Sequence, residues 1–149
     1  MEDETNELVE KFPVILRDKI KNREVIFPEG TKYIYKPILT YRAIAREKND
    51  FTNVSRDDFK SYFELEKKPK KKPRGANLEK IPEWYGVSSF LKKEIVELIM
   101  KFPNPHKKMV SGYVNCESGP QYTNEKDCHV CWWLFQNADI SSYKIMEDK

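Results

Sequence analysis

The residues best suited to chemistry gather in one stretch, KDCHVCWWLF, Lys126 to Phe135. It holds two of the three cysteines, Cys128 and Cys131, with His129 between them. With Cys116 upstream and His106 elsewhere, these residues have the donor types of a tetrahedral zinc site. The spacing argues against one. No glycine or proline follows Cys131 to fold a metal-binding turn; Trp132, Trp133, Leu134 and Phe135 follow instead. If a strand begins at Cys128, alternation puts Cys128 and Val130 on one face and His129, Cys131 and Trp133 on the other. Two sulfurs on opposite faces cannot share a metal, so no metal is expected at Cys116, Cys128 and Cys131. A redox C-x-x-C would need a helix N-terminus behind it, and nothing after Cys131 reads as a helix. A Cys–His nucleophile would need an imidazole beside the thiol. Cys128 and His129 point apart in a strand, which leaves His106 to supply the base from elsewhere.

A second candidate lies in EKKPKKKPRGANLEK. Lys67, Lys68, Lys70, Lys71, Lys72 and Arg74 crowd around Pro69 and Pro73. Like charges repel and proline blocks both ladders, so residues 66–80 are expected to form an exposed basic loop. Such a run can contact phosphates, with binding that weakens steeply as salt rises. Trp84 and Tyr85 follow closely and could stack bases, as could Tyr33 and Tyr35. In a nucleated cell the run would also resemble a nuclear-import signal.

Other chemistries are poorly supplied. The five glycines, Gly30, Gly75, Gly86, Gly112 and Gly119, allow neither a P-loop nor G-x-G-x-x-G. Asp57 and Asp58 are explained by the start of a helix, whose dipole favours acids. One enzyme-like order remains: Arg42 in TYRAI, then Ser88 in YGVSSF. This order loosely resembles ADP-ribosyltransferase-type folds. The resemblance implies a small split sheet, an NAD substrate, an early-strand Arg or His, a serine on a later strand and a glutamate on a strand beyond it. The chain departs from that pattern, because Glu117 and Glu125 fall in a long turn and form no Glu-x-Glu strand.

These groups have to be positioned by a chain of 149 residues, the size of one ordinary domain, with 39% hydrophobic and 13% aromatic residues. Charged residues make up 34% but nearly cancel at +3, so any electrostatic recognition must be local. The acidic start, MEDETNELVE, lacks signal-peptide features, and no apolar run approaches the roughly 18–20 residues of a membrane span. A cytoplasmic location with reduced thiols is expected, or a nuclear one if the source cell is nucleated.

The periodicities predict a helical stripe over 5–22 interrupted by Pro13, then strands at 32–36 and 38–46 separated by Pro37. In the second strand Leu39, Tyr41, Ala43 and Ala45 share one face; Thr40, Arg42, Ile44 and Arg46 share the other. A helix capped by Ser55 is expected to carry Phe59, Tyr62 and Phe63. A short strand at Trp84–Val87 should run into a helix capped by Ser88 or Ser89, its stripe formed by Phe90, Leu91, Ile95, Leu98, Ile99 and Phe102. Strands are expected at 108–115, 128–135 and near the C-terminus, with a long turn between the first two.

The fold class is therefore α+β: one domain over 1–149 with a mixed or mainly antiparallel sheet of about five strands and three to four helices. The functional expectation is a small non-catalytic binding or regulatory protein acting through a macromolecular partner. That partner is a nucleic acid at the basic loop or an acidic protein, in the manner of an inhibitor or immunity protein, with no membrane and no cofactor. The alternative is an ADP-ribosyltransferase-like enzyme using Arg42 and Ser88.

Overall fold

The computed structural model describes residues 8–61, 81–100 and 106–146. These residues form one antiparallel, six-stranded sheet with helices packed on it. The strands are β1 (Ile38–Ala45), β2 (Val87–Phe90), β3 (Lys107–Val114), β4 (Gln121–Asn124), β5 (His129–Trp132) and β6 (Lys144–Ile145). Their order is β4-β5-β2-β1-β3-β6. Two α-helices of eight residues lie among the described residues, α1 (Val14–Lys21) and α2 (Lys93–Met100). No helix among the described residues is long and apolar enough to cross a membrane.

Pro13 divides the N-terminal stripe as its chemistry requires. A helical turn at 8–10 ends before it, and Pro13 (φ −55°) then caps α1. At the other end Arg23 adopts φ 60°, its amide bonds Ile20 O, and the Glu24 amide reaches back to Lys19 O. This is a Schellman closure with arginine in the place usually taken by glycine.

β1 alternates as read from the sequence. It pairs with β3 from Ile38↔Val114 to Ala45↔Lys107. One face carries Ile44, Val110, Val114, Val87, Val130 and Trp132, closed over by Phe59, Leu134, Ile140 and Tyr143. Tyr143 lies so close to β3 that a side chain at Gly112 would meet its ring at 2.4 Å. The other face carries two clusters. Val96 and Met100 of α2 pack with Met109 over Tyr41, Ala43 and Phe90. Phe12, Leu16, Val25 and Tyr85 pack with Cys131, Trp133 and Phe135.

Several expectations are corrected. Residues 32–36 form no strand; Lys32 makes an isolated bridge to Gln121, and Ile34 is 90% exposed with no sheet face to cover it. The helix expected from Ser55 is a single 3-10 turn, Arg56–Asp58, because Phe59 (φ −119°, ψ 57°) leaves helical geometry; Tyr62 and Phe63 lie outside the described residues. Trp84 and Tyr85 belong to a 3-10 turn, Pro82–Tyr85, and the strand is Val87–Phe90. Ser88 and Ser89 are therefore strand residues and not caps, since pairing with β5 claims their backbone. α2 starts later and buries Val96 and Met100, while Leu98 and Ile99 are exposed. The long turn contains β4, which pairs with β5 from Gln121↔Trp132 to Asn124↔His129.

The 3-10 turn at Arg56–Asp58 is locked by its own electrostatics. Arg46 grips both Asp58 carboxylate oxygens at 2.7 Å, and the Ser55 amide donates to Oδ2 at 2.9 Å. Burial alone would raise the Asp58 pKa; the Arg46 and Ser55 hydrogen bonds outweigh it and hold the carboxyl below its usual range. A depressed folded-state pKa stabilises the fold above the ordinary carboxylate pKa, and that contribution is lost as pH falls through the folded value. Asp58→Asn is expected to cost about 2 kcal/mol at neutral pH. Denaturant midpoints of the two proteins should converge as the pH falls below the usual carboxylate range. A gap independent of pH would contradict this account.

Candidate functional site

The sheet is closely paired except at one seam. β1 matches β3 along its length and β2 matches β5 along its length, but β1 meets β2 only at Tyr41↔Phe90. Beyond that pair the two strands part, and the gap is a cleft of about 220 Å³. Its walls include Ala43, Phe90, Val96 and Ile99, and its polar lining is Arg42, Lys60, Ser88 and Lys107. No carboxylate lies among these described lining residues, so the site is cationic in a chain whose overall charge is small.

Arg42 and Ser88 are neighbours here, but in an unexpected way. Arg42 donates from one guanidinium nitrogen to the Ser88 carbonyl at 2.7 Å and from the other to the Asp58 carbonyl at 3.1 Å, over the Phe59 ring at 4.8 Å. It replaces the ladder bond that β2 loses where β1 departs. By strand parity the Arg42 side chain leaves on the face of Val110, while the Ser88 side chain leaves on the face of Cys131. The two side chains thus meet the cleft from opposite faces.

The Ser88 hydroxyl has a partner that sequence reading missed. Its Oγ lies 2.9 Å from His129 Nε2 on β5, and the His129 ring packs edge-on against Phe90 at 5.2 Å. Burial penalises the imidazolium and lowers the His129 pKa, against the opposing pull of the Asp127 carboxylate. His129 is therefore neutral near pH 7. Alternation correctly put His129 on the face of Cys131, but only the β2–β5 register brings Ser88 to it.

The other expected site residues are dispersed. Lys67, Lys68, Lys70, Lys71, Lys72 and Arg74 lie outside the described residues. Tyr85 is buried, and Trp84 packs edge-on against it at 5.5 Å, so Tyr85 presents no open stacking face. Cys131 is buried and its thiol pKa is pushed up, first by burial and then by the charge of Glu83. Cys128 sits just before β5 at φ 54°, with its sulfur toward the Glu125 carbonyl. Cys116, Cys128 and Cys131 are all free thiols, and His106 bonds Glu47 at 3.0 Å on the surface. Among the described residues no group of three His, Cys, Asp or Glu side chains could hold a metal ion.

No family model matches this chain, and no curated protein or solved structure compared with it does either. The site must be read from its own chemistry. The thiols provide a direct check on the geometry. In the folded protein an alkylating reagent should modify Cys116 and Cys128 and spare Cys131, which should react only after denaturation. Mass mapping that finds Cys131 modified as fast as the other two would show that the β5 face is open.

Proposed function

We propose that the chain is a binding protein whose partner is a nucleic acid, held through its sugar-phosphate backbone at the β1–β2 cleft. The observation that carries this reading is the cleft lining: Lys60 and Lys107 with the Ser88 hydroxyl, Arg42 reaching the cleft from the opposite face, and no acid among the described lining residues. Cationic donors and a hydroxyl are the groups that contact phosphate oxygens. Phe90 and Ile99 add an apolar wall suited to a sugar or base face.

Two further observations support it. Lys60 and Gly86 of the cleft stand on either side, in sequence, of the run Lys67–Arg74, which carries six more cations. Lys108, next to Lys107 on β3, lies 4.1 Å from the ring of Phe51, which is 67% exposed. An exposed ring beside a cation is a platform on which a base can stack. An acidic protein would be drawn by the same charge, but the narrow cleft and the ring platform match phosphate and base more closely.

The second reading is an ADP-ribosyltransferase-like enzyme, favoured by the contact between Arg42 and the Ser88 carbonyl. Size weighs against it. The cleft of about 220 Å³ falls below the ~300–1,000 Å³ of typical small-molecule sites, which fits one phosphate and its sugar better than a dinucleotide. NAD turnover by the unaltered chain that disappears in Ser88→Ala would establish this reading.

The test is fluorescence anisotropy with a single-stranded oligonucleotide across a salt series. Affinity should fall linearly on a log–log plot, and replacing Lys70, Lys71 and Lys72 with glutamine should flatten the slope by roughly 2. Lys107→Gln should weaken binding by about 3- to 10-fold. Binding that is absent or indifferent to salt overturns the proposal. Equal affinity for polyglutamate would instead favour an acidic protein partner.

A further inference from the structure

We propose that Ser88 and His129 are a nucleophile and its base, and that the cleft takes a phosphate ester as substrate. The basis is geometry. Ser88 on β2 and His129 on β5 are diagonal neighbours on one sheet face, with Oγ and Nε2 2.9 Å apart. That is within reach for the imidazole to take the hydroxyl proton as the oxygen attacks. Ser88 is half-buried and lines the cleft, so its oxygen can meet a ligand bound there. Lys60 and Lys107, which line the same cleft, supply the positive charge that a phosphoryl group needs on its non-bridging oxygens as the transition state forms.

The surroundings of the imidazole favour the base role. β2 presents Ser88 and Phe90 to it, β4 pairs Asn124 with it, and Asp127 precedes it in the turn. Burial keeps the ring neutral and Asp127 opposes that effect, so Nε2 can accept a proton and the resulting imidazolium has a counter-charge nearby.

The reaction balances without a further reagent. Ser88 Oγ bonds to phosphorus as the ester P–O bond breaks; the serine proton passes to His129 Nε2 and then to the departing alcohol oxygen. Water, deprotonated by the same nitrogen, then attacks the phosphoserine, and Ser88 and inorganic phosphate are released. The inference stands on the Ser88–His129 pair and not on nucleic-acid binding, so a chain that fails to bind the oligonucleotide could still react in this way.

The test treats the full chain with diisopropyl fluorophosphate and maps the adduct by mass spectrometry. One adduct per chain is expected, on Ser88, absent in Ser88→Ala and formed roughly 100-fold more slowly in His129→Gln. No adduct on Ser88, or an equal rate in a His129→Gln protein that melts as a folded protein does, overturns the inference. If His129→Gln does not fold, the pH dependence of labelling in the unaltered protein decides. A rate that rises and then levels as the imidazole loses its proton supports the pair. A rate that climbs tenfold per pH unit without a plateau rejects it.

Discussion

One guanidinium bridges the seam of the sheet. β1 belongs with β3 and β6, and β2 belongs with β5 and β4; between these two halves the backbone pairs only at Tyr41↔Phe90. Arg42 spans the seam, bonding the Ser88 carbonyl of β2 and the Asp58 carbonyl of the preceding 3-10 turn. Hydrogen bonds from a charged donor contribute about 1.5–3 kcal/mol each, and a buried carbonyl left without one costs a comparable amount. Lysine could not do the same, because reaching two carbonyls in different directions needs the planar fork. The turn that presents Asp58 is in turn held by Arg46, so two arginines, Arg42 within β1 and Arg46 just past its end, set the geometry of the seam.

The packing on either side explains why a gap is tolerated there. Trp132 and Trp133 are almost wholly buried, and as consecutive residues they anchor opposite faces of the sheet. Trp132 joins the cluster with Phe59 and Tyr143, and Trp133 joins the one with Phe12 and Phe135. Each ring also finds a carbonyl for its indole N–H, Gly119 for Trp132 and Pro82 for Trp133. Aromatic burial on this scale joins the two halves across the gap, because Trp132 shares its cluster with Ile44 of β1 and Val110 and Val114 of β3. Cys131 fits between, against Gly86, where an added Cβ would lie 2.2 Å from its sulfur. The cysteine therefore serves as a small apolar residue.

What was legible in the sequence was whatever depends on neighbouring residues. The alternation of β1, the interruption at Pro13, the long β3 strand and the burial of the Trp132–Trp133 pair follow from local sterics and periodicity. What misled was apolar content without a tertiary partner. KYIYK has strand-forming residues but only Lys32 finds a bridge. VSSF reads as a helix cap because serine caps helices, yet β5 offered its backbone a ladder. QYTN is too short and polar to announce itself, and pairing with β5 alone makes it a strand. The site was half legible for the same reason. Residue types marked Arg42, Ser88 and His129 as candidates, but the register between strands distant in sequence decides which of them meet.

That register also resolves what the C-x-x-C stretch contributes. Its cysteines drew attention as metal or redox donors, but one is sealed in the core and the other sits in the turn before the strand. The residue between them reaches across to β2, and the face that hides Cys131 is the face on which His129 meets Ser88. A half-buried imidazole bonded to a hydroxyl that lines a cleft with cations and no acid among its described lining residues is a costly arrangement to hold for packing alone. An apolar side chain at either position would fill the same space without desolvating polar atoms. The polar pair borders the open seam through Ser88, and the Arg42 guanidinium bridges that seam.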